Sequence, residues 1–112
     1  MIKNPKIFLE HILECIELIE FYTDNKKEED FIVSLLLQDA VIRRIEIIGE
    51  AVKNLPDEVK SKNPHIPWKK IAGMRDLLIH EYFGVDNKLT WSVVRKDIPE
   101  LKKNIEKILL NN

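Results

Sequence analysis

Residues 29–54 read EDFIVSLLLQDAVIRRIEIIGEAVKN and set the architecture. Leu37, Val41, Ile48, Val52 and Leu55 recur at helical spacing along one face, while Ile42 and Ile45 lie off it. That apolar arc is too wide for a helix buried on one side. A central helix is therefore expected, covered on one flank by its own core and on the other by a second copy of the chain. Ser34 is a natural place for the pattern to split into two helices, and Pro56 ends it. Gly49 sits in the middle of this run, where glycine costs about 1 kcal/mol relative to alanine. Close approach of another helix would offset that loss.

The flanking segments are helical as well. Before the central run, Asn4 can cap a helix that starts at Pro5 and reaches about Tyr22. Phe8, Ile12, Cys15, Ile19 and Tyr22 form its expected stripe, and Glu10, Glu14 and Glu17 its wet side. After it, Pro56-Asp57 can open a short helix that stops before Pro64, and residues 63–67 (NPHIP) form a rigid loop. Pro67 then opens a helix from Trp68 to about Phe83 with Gly84 as its stop. A last helical region spans roughly Lys88 to Leu110. Thr90 is its candidate cap, Pro99 is expected to kink or split it near Asp97–Ile98, and Asp97 can cap the second piece. There are three glycines, no Asn-Gly or Asp-Gly hairpin turn and no strict apolar/polar alternation. The expectation is one all-α domain over residues 1–112, with four main helices and a short one.

At 112 residues, 45% hydrophobic and 33% charged, the composition suits one folded domain and argues against disorder. No apolar run reaches the roughly 18 residues needed to span a bilayer, and the charged N-terminus is unlike a signal peptide. The single cysteine, Cys15, rules out an internal disulfide and fits a small buried core residue. A cytoplasmic location with no membrane association is expected. The net charge of −1 is unevenly spread: −5 over residues 1–52, +4 over residues 53–75 and zero over residues 76–112. The middle segment can offer the local positive patch that nucleic acid requires. Lys62, Lys69 and Lys70 are its candidate RNA contacts, although charge alone favours a solvated lysine-rich loop.

The unusual chemistry lies in residues 75–82, RDLLIHEY, which set arginine, aspartate, histidine, glutamate and tyrosine into an otherwise apolar segment. Metal-independent RNA cleavage needs such groups. A histidine near neutrality moves the 2′-hydroxyl proton, and an arginine holds the phosphate as charge builds on it, giving a 2′,3′-cyclic phosphate. On one straight helix Arg75 and His80 diverge by about 140°. Either the helix ends near His80, or two copies share the site across a two-fold axis, and the second arrangement is favoured. Asp76 stands four residues before His80, where on a helix its carboxylate can orient the imidazole. Arg75 and Tyr82 share a helical face within about 20°. The other histidines, His11 and His65, lack metal-ligand spacing and read as unremarkable surface positions. Glu46 and Glu50 either pair with motif arginines or face water. No glycine-rich phosphate loop is present, so NTP hydrolysis by this chain alone is not expected, and neither a metal nor a cofactor is called for.

Residues 75–82 match the R-x4-6-H signature of HEPN domains. Residues 38–51 (QDAVIRRIEIIGEA), 67–74 (PWKKIAGM) and 81–86 (EYFGVD) resemble the HepT-like branch over nearly the whole chain. The resemblance implies a homodimeric, up-and-down HEPN-type bundle of four to five helices. It implies an RNase toxin of a toxin–antitoxin pair, with RNA as substrate and an MntA-like minimal nucleotidyltransferase as antitoxin. It makes Arg75 and His80 the catalytic pair, Asp76 the supporting polar residue and Tyr82 the tyrosine that the partner modifies with AMP. A different class of function remains open: a non-catalytic helical dimer serving the nucleotidyltransferase as binding partner or accessory subunit.

Overall fold

The computed structural model of the protein describes residues 4–80 and 84–111, and of His80 the backbone. Helices dominate the described residues, as expected for an all-α domain. Helix α1 (Pro5–Thr23) begins as the sequence dictates: the Asn4 side chain accepts from the Lys6 amide at 3.0 Å, and Pro5 occupies the first turn. Its buried face is Leu9, Ile12, Cys15, Ile16, Ile19 and Thr23, turned slightly from the expected stripe, so that Phe8 and Tyr22 are only half-buried. Burial pushes the Cys15 thiol pKa up, against the nearby Arg44 cation that pulls it down.

The 29–54 pattern does divide at Ser34. Helix α2 (Glu28–Val33) ends there, and the Ser34 hydroxyl caps helix α3 (Leu35–Asn54) by accepting from the Leu37 amide at 3.1 Å. Gln38, buried, reaches back to donate to the Phe31 and Ile32 carbonyls, which joins the two pieces. Val41, Ile42, Ile45, Ile48, Ala51 and Val52 of α3 are all buried. Helix α1 packs along one flank of α3, and α5 (Trp68–Ala72) and α6 (Met74–Leu78) pack on another. The wide apolar arc, expected to need a second copy, is thus covered largely within the chain. Three neighbouring apolar side chains at the α2–α3 junction stay uncovered: Val33, Leu35 and Leu36 are 83%, 71% and 82% exposed.

Helix α4 (Asp57–Lys62) follows Pro56. The indole of Trp68 then donates to the Asn63 carbonyl at 3.0 Å, closing the proline loop. The expected helix from Trp68 to Phe83 is not continuous. Gly73 interrupts it between α5 and α6, and α6 stops at Leu78. The chain then extends: β1 (Ile79–His80) pairs antiparallel with β2 (Gly84–Val85), placing Ile79 opposite Val85 and His80 opposite Gly84. Gly84 adopts φ +73°, so its freedom serves the strand pairing opposite His80 and not a helix stop. The Asp86 amide donates to the Leu78 carbonyl at 2.8 Å and ties the turn back to α6.

Asp86, not Thr90, caps the next helix, α7 (Asn87–Ser92), by accepting from the Leu89 amide at 3.0 Å. Thr90 is fully buried and donates to the Asp86 carbonyl. Val93–Asp97 is a π-helical turn that runs without a break into α8 (Ile98–Leu110). The predicted split at Pro99 is therefore replaced by a locally wider helix, and the Asp97 side chain caps nothing. Within that region the Arg95 guanidinium lies 4.4 Å from the Trp91 ring centre, and Trp91 in turn packs on Phe31 of α2 at 5.5 Å. The α8 stripe Ile98, Leu101, Ile105 and Ile108 closes the core over α1.

Candidate functional site

Arg75 stands in the first turn of α6, and its position follows from Gly49. A Cβ on Gly49 would lie 3.0 Å from the Ala72 carbonyl oxygen, so α3 and the end of α5 approach as closely as a bare backbone permits. This is the close helix contact expected from the mid-helix glycine. The chain then turns at Gly73 and starts α6 against α3. Glu46, three residues before Gly49, meets Arg75: the Arg75 Nε donates to Glu46 Oε2 at 2.9 Å. The other oxygen of Glu46 accepts from Arg43 Nη1 at 2.6 Å. One carboxylate thus bridges two guanidiniums. The Arg43 hydrogen bond first, and that of Arg75 after it, hold the Glu46 carboxyl below the usual carboxylate range.

The one-turn helical spacing expected between Asp76 and His80 is not kept. Because α6 ends at Leu78, Asp76 and His80 are not one helical turn apart. The Asp76 carboxylate lies within 3.3 Å of Arg75 Nη1 instead. Arg75 is therefore held on two edges, by Glu46 and Asp76, while its side chain stays 47% exposed. A planar guanidinium held at Nε and Nη1 is fixed in orientation, and its remaining N–H groups can meet an oxyanion.

Of the two arrangements considered for His80, the helix does end before it. His80 is carried by β1 two residues past α6, so the 140° divergence of a straight helix does not apply. Tyr82 lies outside the described residues. The three candidate lysines do not gather at Arg75. Lys69 is exposed on α5. Lys70 lies 3.9 Å from Asp97 and lines a separate cleft between α5 and α8. Lys62 pairs with Glu58 at 3.0 Å and lines a depression near α4.

The residues not assigned from sequence are Glu46, left undecided there, and Arg43 and His11. The Arg43/Glu46 spacing of one helical turn was visible, but the partner of Glu46 lies 29 residues further on. Among the described residues no group of His, Cys, Asp and Glu could hold a metal ion, and no helix is long and apolar enough to cross a membrane.

A helical fold with Arg75 anchored on α3 and a histidine just beyond its helix places the chain in a known class. Residues 12–108 match the family described as "Ribonuclease HepT-like", and the chain belongs to that family. It is 66% identical over 109 residues to a Methanocaldococcus jannaschii protein named "Gamma-glutamylcyclotransferase and putative RNase". That match covers 97% of this chain and 49% of the relative, so the chain spans about half of that protein's length. It is 51% identical over 108 residues to the "Probable ribonuclease HepT" of Thermococcus cleftensis, covering 96% of this chain and 98% of that one. A "Putative RNase" of Caldanaerobacter subterraneus subsp. tengcongensis is 50% identical over 107 residues, with 96% of each chain covered. No solved structure matches.

Proposed function

We propose that this chain is a metal-independent endoribonuclease, and that Arg75 and His80 carry the reaction. The observation that supports it most is the setting of Arg75: its guanidinium is anchored by Glu46 and Asp76, half exposed, and carried four residues before the strand that bears His80. Membership of the HepT-like ribonuclease family and the relatives' names support RNA as the substrate. In this reading His80 moves the proton of the 2′-hydroxyl or protonates the leaving 5′-oxygen. Arg75 stabilises the charge on the phosphate, and a 2′,3′-cyclic phosphate results.

The remaining roles extend this reading. The chain acts as the toxin of a toxin–antitoxin pair, and an MntA-like nucleotidyltransferase silences it by placing AMP on Tyr82, whose added bulk and charge would obstruct the cleft. Two copies associate. What supports a dimer is the row of exposed apolar side chains at Val33, Leu35 and Leu36, more than a lone soluble domain usually leaves uncovered in one place.

The test is cleavage of cellular RNA in EDTA by the purified protein and its His80→Ala variant. Wild type should cleave and leave cyclic phosphate ends. His80→Ala should lose roughly 10²–10⁴-fold in rate while keeping its melting temperature. Equal cleavage by both would remove His80 from the mechanism. Absence of cleavage by unmodified wild type would favour the non-catalytic partner of a nucleotidyltransferase.

A further inference from the structure

Glu46 is where two guanidiniums meet, and the way they divide it decides what Arg75 keeps for a substrate. Arg43 and Glu46 lie one turn apart on α3, so Arg43 reaches the carboxylate from its own helix: Nη1 donates to Oε1 at 2.6 Å. Arg75 comes from α6 and takes the other oxygen, its Nε donating to Oε2 at 2.9 Å. The Nη1 of Arg75 lies 3.3 Å from Asp76 Oδ1.

The donors of a guanidinium stand in a fixed fork. On its side edge, Nε–H and one N–H of Nη2 run parallel, at the spacing of the two oxygens of a carboxylate. A glutamate that already accepts from Nε therefore reaches Nη2 with its second oxygen after a small swing. That fork would be the stronger pairing, and it would consume the donor beside Nε. Here the second oxygen is held by Arg43 instead. The Glu46–Arg75 contact stays single, and Nη2 of Arg75 hydrogen-bonds to neither Glu46 nor Asp76. The Arg43 hydrogen bond is also the largest influence holding the Glu46 carboxyl below the usual carboxylate range, ahead of that of Arg75. The Arg43 and Glu46 side chains are 62% and 32% exposed, so the pair adds little to stability and acts through orientation.

We infer that Arg43 is a positioning residue for the proposed reaction: by holding one oxygen of Glu46 it limits that carboxylate to a single hydrogen bond with Arg75 and keeps the Nη2 edge open for the phosphate. Arg43 acts through Glu46 and not on the RNA itself. The inference rests on the nuclease reading for what Arg75 binds, but the pairing at Arg75 can be measured without RNA.

The test replaces Arg43 by Met, which keeps an unbranched stem and has no donor, and by Lys, which returns one donor to Oε1. Arg43→Met should lower kcat about three- to ten-fold, the worth of one hydrogen bond at the transition state, with KM within about two-fold of wild type. Its melting temperature should stay within about 4 °C. Arg43→Lys should recover kcat to within about two-fold of wild type. In a Glu46→Ala background, Arg43→Met should change kcat by less than about two-fold, because the carboxylate that connects the two arginines is gone. Unchanged kcat in Arg43→Met would overturn the inference. So would an equal loss in both backgrounds, or a flatter dependence of cleavage on salt in Arg43→Met, since each would make Arg43 an RNA contact.

Arginine side-chain NMR reads the same pairing with no substrate, and the chain has four arginines to assign. In Arg43→Met the Arg75 guanidinium should rotate more slowly, because Glu46 then grips it by two hydrogen bonds. Unchanged rotation would overturn the inference. If wild type cleaves nothing and the rotation still slows, the nuclease reading falls and the hold of Arg43 on Glu46 stands.

Discussion

Helix α3 and the segment from Trp68 to Asp86 are similar in length and opposite in design. Helix α3 is one unbroken element whose side chains are held by neighbours on two flanks. The second segment is cut into two short helices and a two-residue ladder, with turns at Gly73 and Gly84, and its chemistry sits in the pieces. The first supplies stability, and the second carries the residues proposed to act on RNA. They meet at two residues, Gly49 and Glu46, where backbone contact and an ion pair transfer the rigidity of α3 to Arg75. A side chain on a one-turn helix cannot be positioned by that helix alone, so for Arg75 the long one does it.

That division can be tested by substitutions on either side of it. The largest effect is expected inside α3. Ile48→Ala, at a side chain 1% exposed, should lower unfolding free energy by about 2–5 kcal/mol in urea titration. A loss under 1 kcal/mol would mean that α3 is not the central support. Gly49→Ala adds a methyl 3.0 Å from a backbone carbonyl, and the strain should outweigh the helix propensity gained. A net loss of about 1 kcal/mol is expected, together with weaker RNA cleavage, because α5 must shift and carries Arg75 with it. Glu46→Gln keeps the shape but not the charge. It should reduce cleavage about ten-fold while unfolding free energy changes by less than about 1 kcal/mol. If stability fell and activity did not, the ion pair would be scaffold alone.

The smallest effect is in pH dependence. The folded Glu46 carboxyl sits below its unfolded value, near 4.3. Its contribution is complete above that unfolded value and is lost as pH falls through the lower, folded one. Acid titration of stability should therefore be slightly flatter in Glu46→Gln than in wild type. Because the group is about a third exposed, the difference should stay small.

What could be read from sequence divides along the same line. The period of α3 and the Asn4-Pro5 start of α1 were legible because burial and capping are local patterns. The end of α6 was not, since Ile79 and His80 leave the helix to pair with Gly84 and Val85, a contact that apolar spacing does not encode. Nor does helical spacing show that the Asp76 carboxylate meets Arg75 next door. Gly73 was read through because one glycine need not stop a helix. Here it does, because α5 already rests on Gly49. The sequence also assigned the second flank of α3 to another copy, since it could not show that α5 and α6 fold back to cover it.

The π-helical turn at Val93–Asp97 has a consequence for how this chain tolerates change in length. Such a turn accommodates one residue more than an α-helix of the same rise. Deleting one of its residues would let the backbone tighten to an α-helix with little change of phase, because five residues at the π pitch turn the chain roughly as far as four at 100° each. Ile98, Leu101, Ile105 and Ile108 would then still face α1. The irregular turn is a reserve of one residue, the place where this helical region can shorten and keep its core.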